Sequence, residues 1–344
     1  MKKNIFILVL FVISNLNAQS GFETLFLADK NDSKKIISNY FSPRIKGYLS
    51  GLNNGWFYTA KAHRPFGFDF SLNLANVICA KDNEVFNLDN LSSVNLPNGN
   101  FNGTTAIGKQ KNTPFTVTRN INGQNVNANA IFTGGATNAV FENTTSIPIA
   151  QLSVGISNGF DIMLRLTPQM RLNNDNESLN VLGFGIKKEI TNWFKKSKNL
   201  PLHISILAGY TSMKASYGIE NQSLPSGNQS GIEIQNGLSE FSLNSFTFQI
   251  LSSLEWDRFG FFGSLGYNNG KSNFKTTGSF RGQYQGTTNP EIIAIEAPQD
   301  IEFKSSSLSA TIGSRINLRY FKIFGSFSVQ EFNSTNLGIA FSIK

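Results

Sequence analysis

The chain has almost no cysteine, little histidine, few charges and no long hydrophobic run. Cys79 is the only cysteine, so an internal disulfide and a cysteine-rich metal site are both excluded. Its neighbours Val77 and Ile78 make it an expected buried or lipid-facing thiol. Only His63 and His203 carry imidazole, and neither stands with cysteines or carboxylates at metal-ligand spacing, so no metal or cofactor is expected. Basic residues never cluster among stacking aromatics, which argues against a nucleic-acid partner. Charged residues make up only 15%, leaving Asn, Ser, Thr and Gly as the main polar groups. Beyond the first residues no stretch approaches the ~18 continuous apolar residues of a membrane helix.

What is present begins with an export signal. Lys2 and Lys3 form a basic region, Ile5 to Ile13 an apolar one, and Leu16-Asn17-Ala18 a small-residue cleavage site. Residues 1–18 therefore read as a signal peptide. Losing Lys2 and Lys3 lowers the formal charge from +8 to +6. No cysteine stands directly after the apolar region, so no lipid anchor is expected.

The dominant pattern is alternation. Phe66, Phe68, Phe70, Leu72 and Leu74 are separated by Gly67, Asp69, Ser71 and Asn73, giving one apolar and one polar face. The pattern predicts ten strands, near 66–78, 148–157, 159–169, 178–190, 201–214, 241–254, 258–270, 306–319, 320–331 and 335–344. Each is about the 9–11 residues that a tilted membrane strand needs. Tight turns at Ser157-Asn158-Gly159, Glu255-Trp256-Asp257-Arg258 and Arg319-Tyr320-Phe321-Lys322 alternate with long connections at 79–147, 215–240 and 271–305. The expected fold is all-β: a transmembrane antiparallel barrel of about ten strands, twelve being next, in a bacterial-type outer membrane. The stretch from Phe115 to Phe132, with Asn122-Gly123 at its turn, reads as an extracellular hairpin. Its asparagines leave no clean lipid-facing row.

Residues 19–65 differ. Asn31-Asp32-Ser33 offers helix caps, and Ile36, Ile37, Tyr40 and Phe41 recur at helical spacing until Pro43; a second short helix is expected from Pro43 to Leu52. This segment reads as a periplasmic lead-in or a plug, and 66–344 as the barrel. Trp56, Trp193 and Trp256 all fall at the expected periplasmic rim, where indoles favour the membrane–water boundary. Seven Lys/Arg against three Asp/Glu in 19–65 give that rim a basic bias.

Two faces follow from the alternation. Ile204, Ile206, Phe246, Phe248, Leu308, Ile312, Leu337 and Ile339 are expected to face lipid. Asp69, Asn73, Asp161, Arg165, Arg315, Asn317 and Arg319 are expected to face the lumen. Because ten strands make a narrow barrel, that lining can pack by Arg–Asp hydrogen bonding or sort solutes. His203 and Ser205 share a strand face, so they are the weak candidates for a catalytic pair. Gly270-Lys271-Ser272 ends like a phosphate-binding loop, but Leu265 occupies its first glycine position and the setting is a strand.

Three stretches carry a family resemblance: Gly47-Tyr48 through Trp56 to Phe66-Gly67-Phe68-Asp69; Leu182-Gly183-Phe184-Gly185-Ile186-Lys187-Lys188-Glu189; and Gly266-Tyr267-Asn268-Asn269-Gly270-Lys271-Ser272-Asn273. They resemble an uncharacterised outer-membrane β-barrel family described as a domain of unknown function. The layout is more distantly similar to long-chain fatty-acid channels. The resemblance implies a barrel and an outer-membrane location but transfers no functional residue. Many such barrels end in an aromatic residue; this chain ends Phe341-Ser342-Ile343-Lys344. The expected protein is a monomeric, non-enzymatic barrel in contact with outer-membrane lipids and the assembly machinery, serving passive transport or surface binding of a small or hydrophobic solute. The alternatives are an adhesive surface protein acting through its loops and a lipid-modifying hydrolase.

Overall fold

The computed structural model describes residues 21–343 except 97–98, 122, 136–142, 172–177, 195–200 and 288. The expected signal peptide 1–18, Asn122 of the Asn122-Gly123 turn and Lys344 lie outside the described residues. A short 3-10 helix (Phe22–Leu27) and one α-helix (Lys30–Leu52) precede the strands. In chain order the strands are β1 (Phe68–Ile78), β2 (Val85–Leu88), β3 (Val94–Asn95), β4 (Phe101–Thr104), β5 (Lys111–Ile121), β6 (Gln124–Gly134), β7 (Thr144–Gly155) and β8 (Phe160–Arg171). There follow β9 (Ser178–Glu189), β10 (Leu202–Ile219), β11 (Gly231–Glu255), β12 (Phe259–Tyr284), β13 (Glu291–Ala294), β14 (Ile301–Leu318), β15 (Phe321–Val329) and β16 (Ser334–Ile343).

Ten of these strands close into an antiparallel ring, running β1, β7, β8, β9, β10, β11, β12, β14, β15, β16 and back to β1. Closure follows from the alternation. Outward rows such as Phe246, Phe248, Ile250 and Leu308, Ile312, Ile316 leave no polar face on which an open edge could be solvated or covered. Turns at one rim are tight. Asn158 and Gly159 both take positive φ, 61° and 72°, as a two-residue hairpin requires.

At the opposite rim the expected long loops 215–240 and 271–305 are largely strand. β11 and β12 run 25 and 26 residues and pair along nearly their whole length. That is far beyond the 9–11 residues of a spanning strand. Their outer face turns polar there, which is why the composition resembles loop. Their inner face keeps Phe241, Phe274 and Phe280, and these bury against the N-terminal segment and hold the ladder together. The wall is thus tall on the β10–β14 side and short elsewhere. The 79–147 connection carries β2 to β6, with β5–β6 as a hairpin outside the ring, joined to β3 in its own sheet.

The N-terminal helix lies inside the ring. Asp29 caps it, its side chain accepting from the Asp32 amide at 2.8 Å. It runs unbroken through Pro43, where two short helices were expected. Burial on most sides offsets the hydrogen bond that proline cannot make. The helix begins at the tall end, where Lys30 pairs with Glu296 and Asp32 accepts from Ser93, and it descends toward the tight-turn rim.

Candidate functional site: a lumen filled by its own N-terminal segment

The interior is stacked in layers along the barrel axis. The uppermost is an aromatic core. Phe22, Phe26 and Phe41 meet Tyr217, Phe241, Phe274 and Phe280 at ring separations of 5.1–6.1 Å. Phe101 and Phe132 of the 79–147 connection complete it.

Below this lies a polar layer around the end of the helix. Arg165 of β8 is wholly buried, and among the described residues no carboxylate pairs with it. Its guanidinium donates to the Leu52 and Asn54 carbonyls at 2.8 and 2.7 Å and to Gln151 at 2.9 Å. Leu52 and Asn54 stand at the helix C-terminus, whose unpaired carbonyls carry partial negative charge, so the helix end itself serves as counter-charge. Trp56 supplies the rest, its ring centre 3.6 Å from the guanidinium carbon.

Next comes an aromatic floor made by Trp56, Phe57 and Tyr58. Each ring sits where the wall is small. A Cβ on Gly185 or Gly209 would stand 2.6 Å from the Trp56 ring. Phe57 meets Phe262, which itself covers Gly313, and Tyr58 stacks on Phe324, which covers Gly338. Inward glycines on adjacent strands β9 and β10 were the one sequence sign that something bulky lies against this wall.

The lowest layer, at the tight-turn rim, is charged. His63 lies between two carboxylates, Nε2 2.7 Å from Asp69 and Nδ1 3.0 Å from Asp161. Lys187 reaches Asp161 at 2.9 Å, and the Tyr58 hydroxyl donates to Asp69 at 2.5 Å. Burial disfavours the charged imidazole, but its hydrogen bonds to Asp161 and Asp69 outweigh that and hold His63 above its ordinary pKa. Arg315 pairs with Glu255 at 2.8 Å, and Lys322 donates to Tyr58 and Ser342. No place in the lumen was expected of Tyr58, His63, Lys187, Glu255 or Lys322 from the sequence, because their partners are distant in the chain.

Of the residues expected in the lumen, Asp69, Asn73, Asp161, Arg165 and Arg315 are buried there. Asn317 sits at the rim, its amide donating to the Asp257 carbonyl at 3.1 Å in the neighbouring turn. Arg319 is not in the lumen: it occupies the tight β14–β15 turn with φ 56°, exposed and 4.9 Å from the Tyr320 ring. Turn geometry, rather than strand parity, sets its direction. Trp193 and Trp256 are exposed at the rim, whereas Trp56 is buried inside rather than at a boundary, because Gly185 and Gly209 open a slot for it. His203 pairs with Glu189 at 2.7 Å, while the Ser205 hydroxyl donates to the Ala60 carbonyl. Among the described residues no hydrogen bond joins His203 to Ser205. Cys79 is buried against Val77, Ile107 and Phe332. Among the described residues no group of three or more His, Cys, Asp or Glu could hold a metal.

Together these layers define a closed antiparallel β-barrel plugged by the segment that precedes its first strand. The chain belongs to a family of unknown function, DUF6588, whose pattern matches residues 1–343. No protein of curated function matches it. Among solved structures it is similar to Ail, the attachment invasion locus protein of Yersinia pestis, at 8% identity and a TM-score of 0.27, covering 81% of this chain and 100% of Ail. It is similar to the translocator domain of the autotransporter NalP from Neisseria meningitidis at 11% identity and a TM-score of 0.27, covering 90% and 97%. The toluene transporter TodX of Pseudomonas putida follows at 9% identity and a TM-score of 0.18, covering 81% and 90%.

Proposed function

We propose that the protein is an outer-membrane barrel acting at the cell surface, where its tall end binds a small apolar ligand, while its lumen stays closed. The observation that carries this reading is the N-terminal segment, which occupies the interior from the upper aromatic core to the charged rim and is tied to the wall in every layer. An element held so fully is a structural filling rather than a solute path. The outward apolar rows, with Leu308 79% and Leu337 63% exposed, are the face for acyl chains. The tight-turn rim, bearing Trp193 and Trp256, is then periplasmic.

The tall end supplies the binding surface. A cleft of about 590 Å³ opens between the 3-10 helix, the β5–β6 hairpin and the start of β11. Leu27, Pro114, Phe115, Ala130, Ile131 and Ile232 line it together with uncharged polar residues. That volume lies within the ~300–1,000 Å³ of small-molecule sites, and an uncharged lining selects a neutral ligand. Wall polar groups bond one another: Thr116 to Asn129 at 2.9 Å and the Asn129 amide to Ser230 at 3.0 Å.

Planar-bilayer recording tests the closed lumen: the purified protein is expected to give no steady openings, and stable conductance would turn the reading to passive transport. For the cleft, a fluorescent neutral naphthylamine probe is expected to bind protein in lipid nanodiscs and to lose binding in Ala130→Trp. Unchanged binding in that variant removes the cleft from the reading.

A further inference from the structure

The outward face of the tall side changes character at one level. Leu308, Tyr267 and Phe248 are directly opposed across β14, β12 and β11, and all three are exposed. The next row toward the tall end is Ser306, Asn269 and Phe246, and beyond it the outward residues of these strands are polar or charged. Tyr210 marks the same level on β10, where its ring is exposed beside Phe246 and its hydroxyl donates to Asn244 at 2.6 Å. A ring with an apolar body and a satisfied polar tip belongs where hydrocarbon gives way to headgroups.

Immediately above that level, Lys271 of β12 and Lys304 of β14 are directly opposed, and both are exposed. Like charges facing one another across a ladder repel. Glu302 pairs with Lys304 at 3.0 Å, and among the described residues no carboxylate pairs with Lys271. Lys214 of β10, exposed in the next row up, adds a further positive charge. Higher on the extension the cations are matched, Lys275 by Glu240 at 2.7 Å and Arg281 by Glu233. The positive excess therefore sits at the edge of the apolar rows. The sequence Gly270-Lys271-Ser272 serves this placement by alternation. Gly270 faces inward, where a Cβ would stand 3.0 Å from Leu49 of the helix, Ser272 is buried, and Lys271 points out.

We propose that Lys271 and Lys304 bind the anionic, phosphate-bearing headgroup of a membrane lipid whose acyl chains lie along Leu308, Tyr267 and Phe248. Two features select this occupant. Paired ammonium groups on flexible stems are point charges suited to a phosphate. The apolar rows begin two outward positions below each lysine, so one molecule with an anionic head and hydrocarbon tails meets both surfaces at once. The proposal rests on the outward rows meeting hydrocarbon, and on neither the closed lumen nor the surface cleft.

Native mass spectrometry of the full chain in detergent tests it, with a short-chain phosphatidic acid as probe and the phosphatidylcholine of the same chains as reference. The protein is expected to retain the acid in preference to the choline lipid. Lys271→Gln combined with Lys304→Gln is expected to weaken that retention by roughly 30-fold. Lys34→Gln combined with Lys35→Gln removes the same charge from exposed positions on the helix and is expected to leave retention unchanged. Equal retention of the two lipids, or retention unaffected by the loss of Lys271 and Lys304, overturns the proposal. Equal weakening by the two double variants means attraction to total charge rather than a site, and overturns it too. Displacement of the lipid by an equal concentration of inorganic phosphate means a free-anion site and overturns the lipid assignment. Heat-modifiable gel mobility verifies that each variant is folded, and Phe248→Arg and Ile339→Arg test the hydrocarbon belt separately.

Discussion

The guanidinium of Arg165 on β8 lies 3.6 Å from the ring centre of Trp56, on the segment that fills the barrel. This contact, with two carbonyl hydrogen bonds beside it, ties plug to wall at the middle of the lumen. Arg165→Met leaves the Leu52 and Asn54 carbonyls unmatched in a buried layer and should destabilise the protein by about 2–4 kcal/mol. Arg165→Lys keeps the charge but not the fork, and should recover only part of the loss. Denaturant titration of the purified protein, read by the loss of heat-modifiable gel mobility, measures both.

Trp56 depends in turn on two absent side chains. Gly209→Val and Gly185→Val put methyl groups where the indole now sits, so the plug must shift or the wall must bend. Overpacking of this kind costs about 1–3 kcal/mol. Either variant should lower thermal stability and produce channel openings that the parent lacks. Silent bilayers with an unchanged melting point would show that Trp56 is not what seals the floor.

The charged rim gives a pH dependence. His63 is held above its unperturbed value of 6.5. Stabilisation from such a group is fully present below the unfolded pKa and disappears as pH rises through the raised folded one. The protein should therefore lose stability as pH rises from about 6.5 through the raised value. His63→Gln should remove that part of the profile, leaving a flatter curve. A pH titration of the thermal midpoint of both proteins decides it.

The outward face makes a positional prediction. Phe248→Arg and Ile339→Arg put a charge among the apolar rows and should each cost about 2–4 kcal/mol of membrane folding stability. Ser279→Arg lies on the tall extension of β12, outside those rows, and should cost less than about 0.5 kcal/mol. Folding into vesicles under urea compares the three. Equal costs at all positions would mean that the belt does not meet hydrocarbon.

The path of the helix predicts an unusual orientation. Lys34, in its second turn, is exposed at the tall end, while Trp193 is exposed at the opposite rim. In a Cys79→Ser background, a membrane-impermeant maleimide applied to intact cells should label Lys34→Cys and spare Trp193→Cys. The reverse pattern would invert the proposed topology.

Much of the barrel was legible because alternation is a local signal. A residue's parity on a strand fixes which face it shows, so the ten strands, the outward rows and most of the lumen-facing residues could be named without a structure. Arg319 escaped because parity ends where a turn begins. The strand extensions beyond residues 214 and 270 were hidden by their asparagines and serines, since polar outer residues look the same on a solvated strand as in a loop. Trp56 was assigned to a boundary from general indole preference; its slot is made by glycines more than 120 residues away.

Sequence by itself determined the ring: its periodicity, its count of spanning strands and the sidedness of each. Tertiary structure alone decided that the ring is full. Whether residues 21–67 hang below the barrel or run through it turns on contacts between Trp56 and two glycines, between Arg165 and a helix end, and between His63 and two aspartates. Those pairings join segments far apart in the chain, and nothing local encodes them. Periodicity is a property of neighbours along the backbone, whereas occupancy of a cavity is a property of shape and charge matched across space.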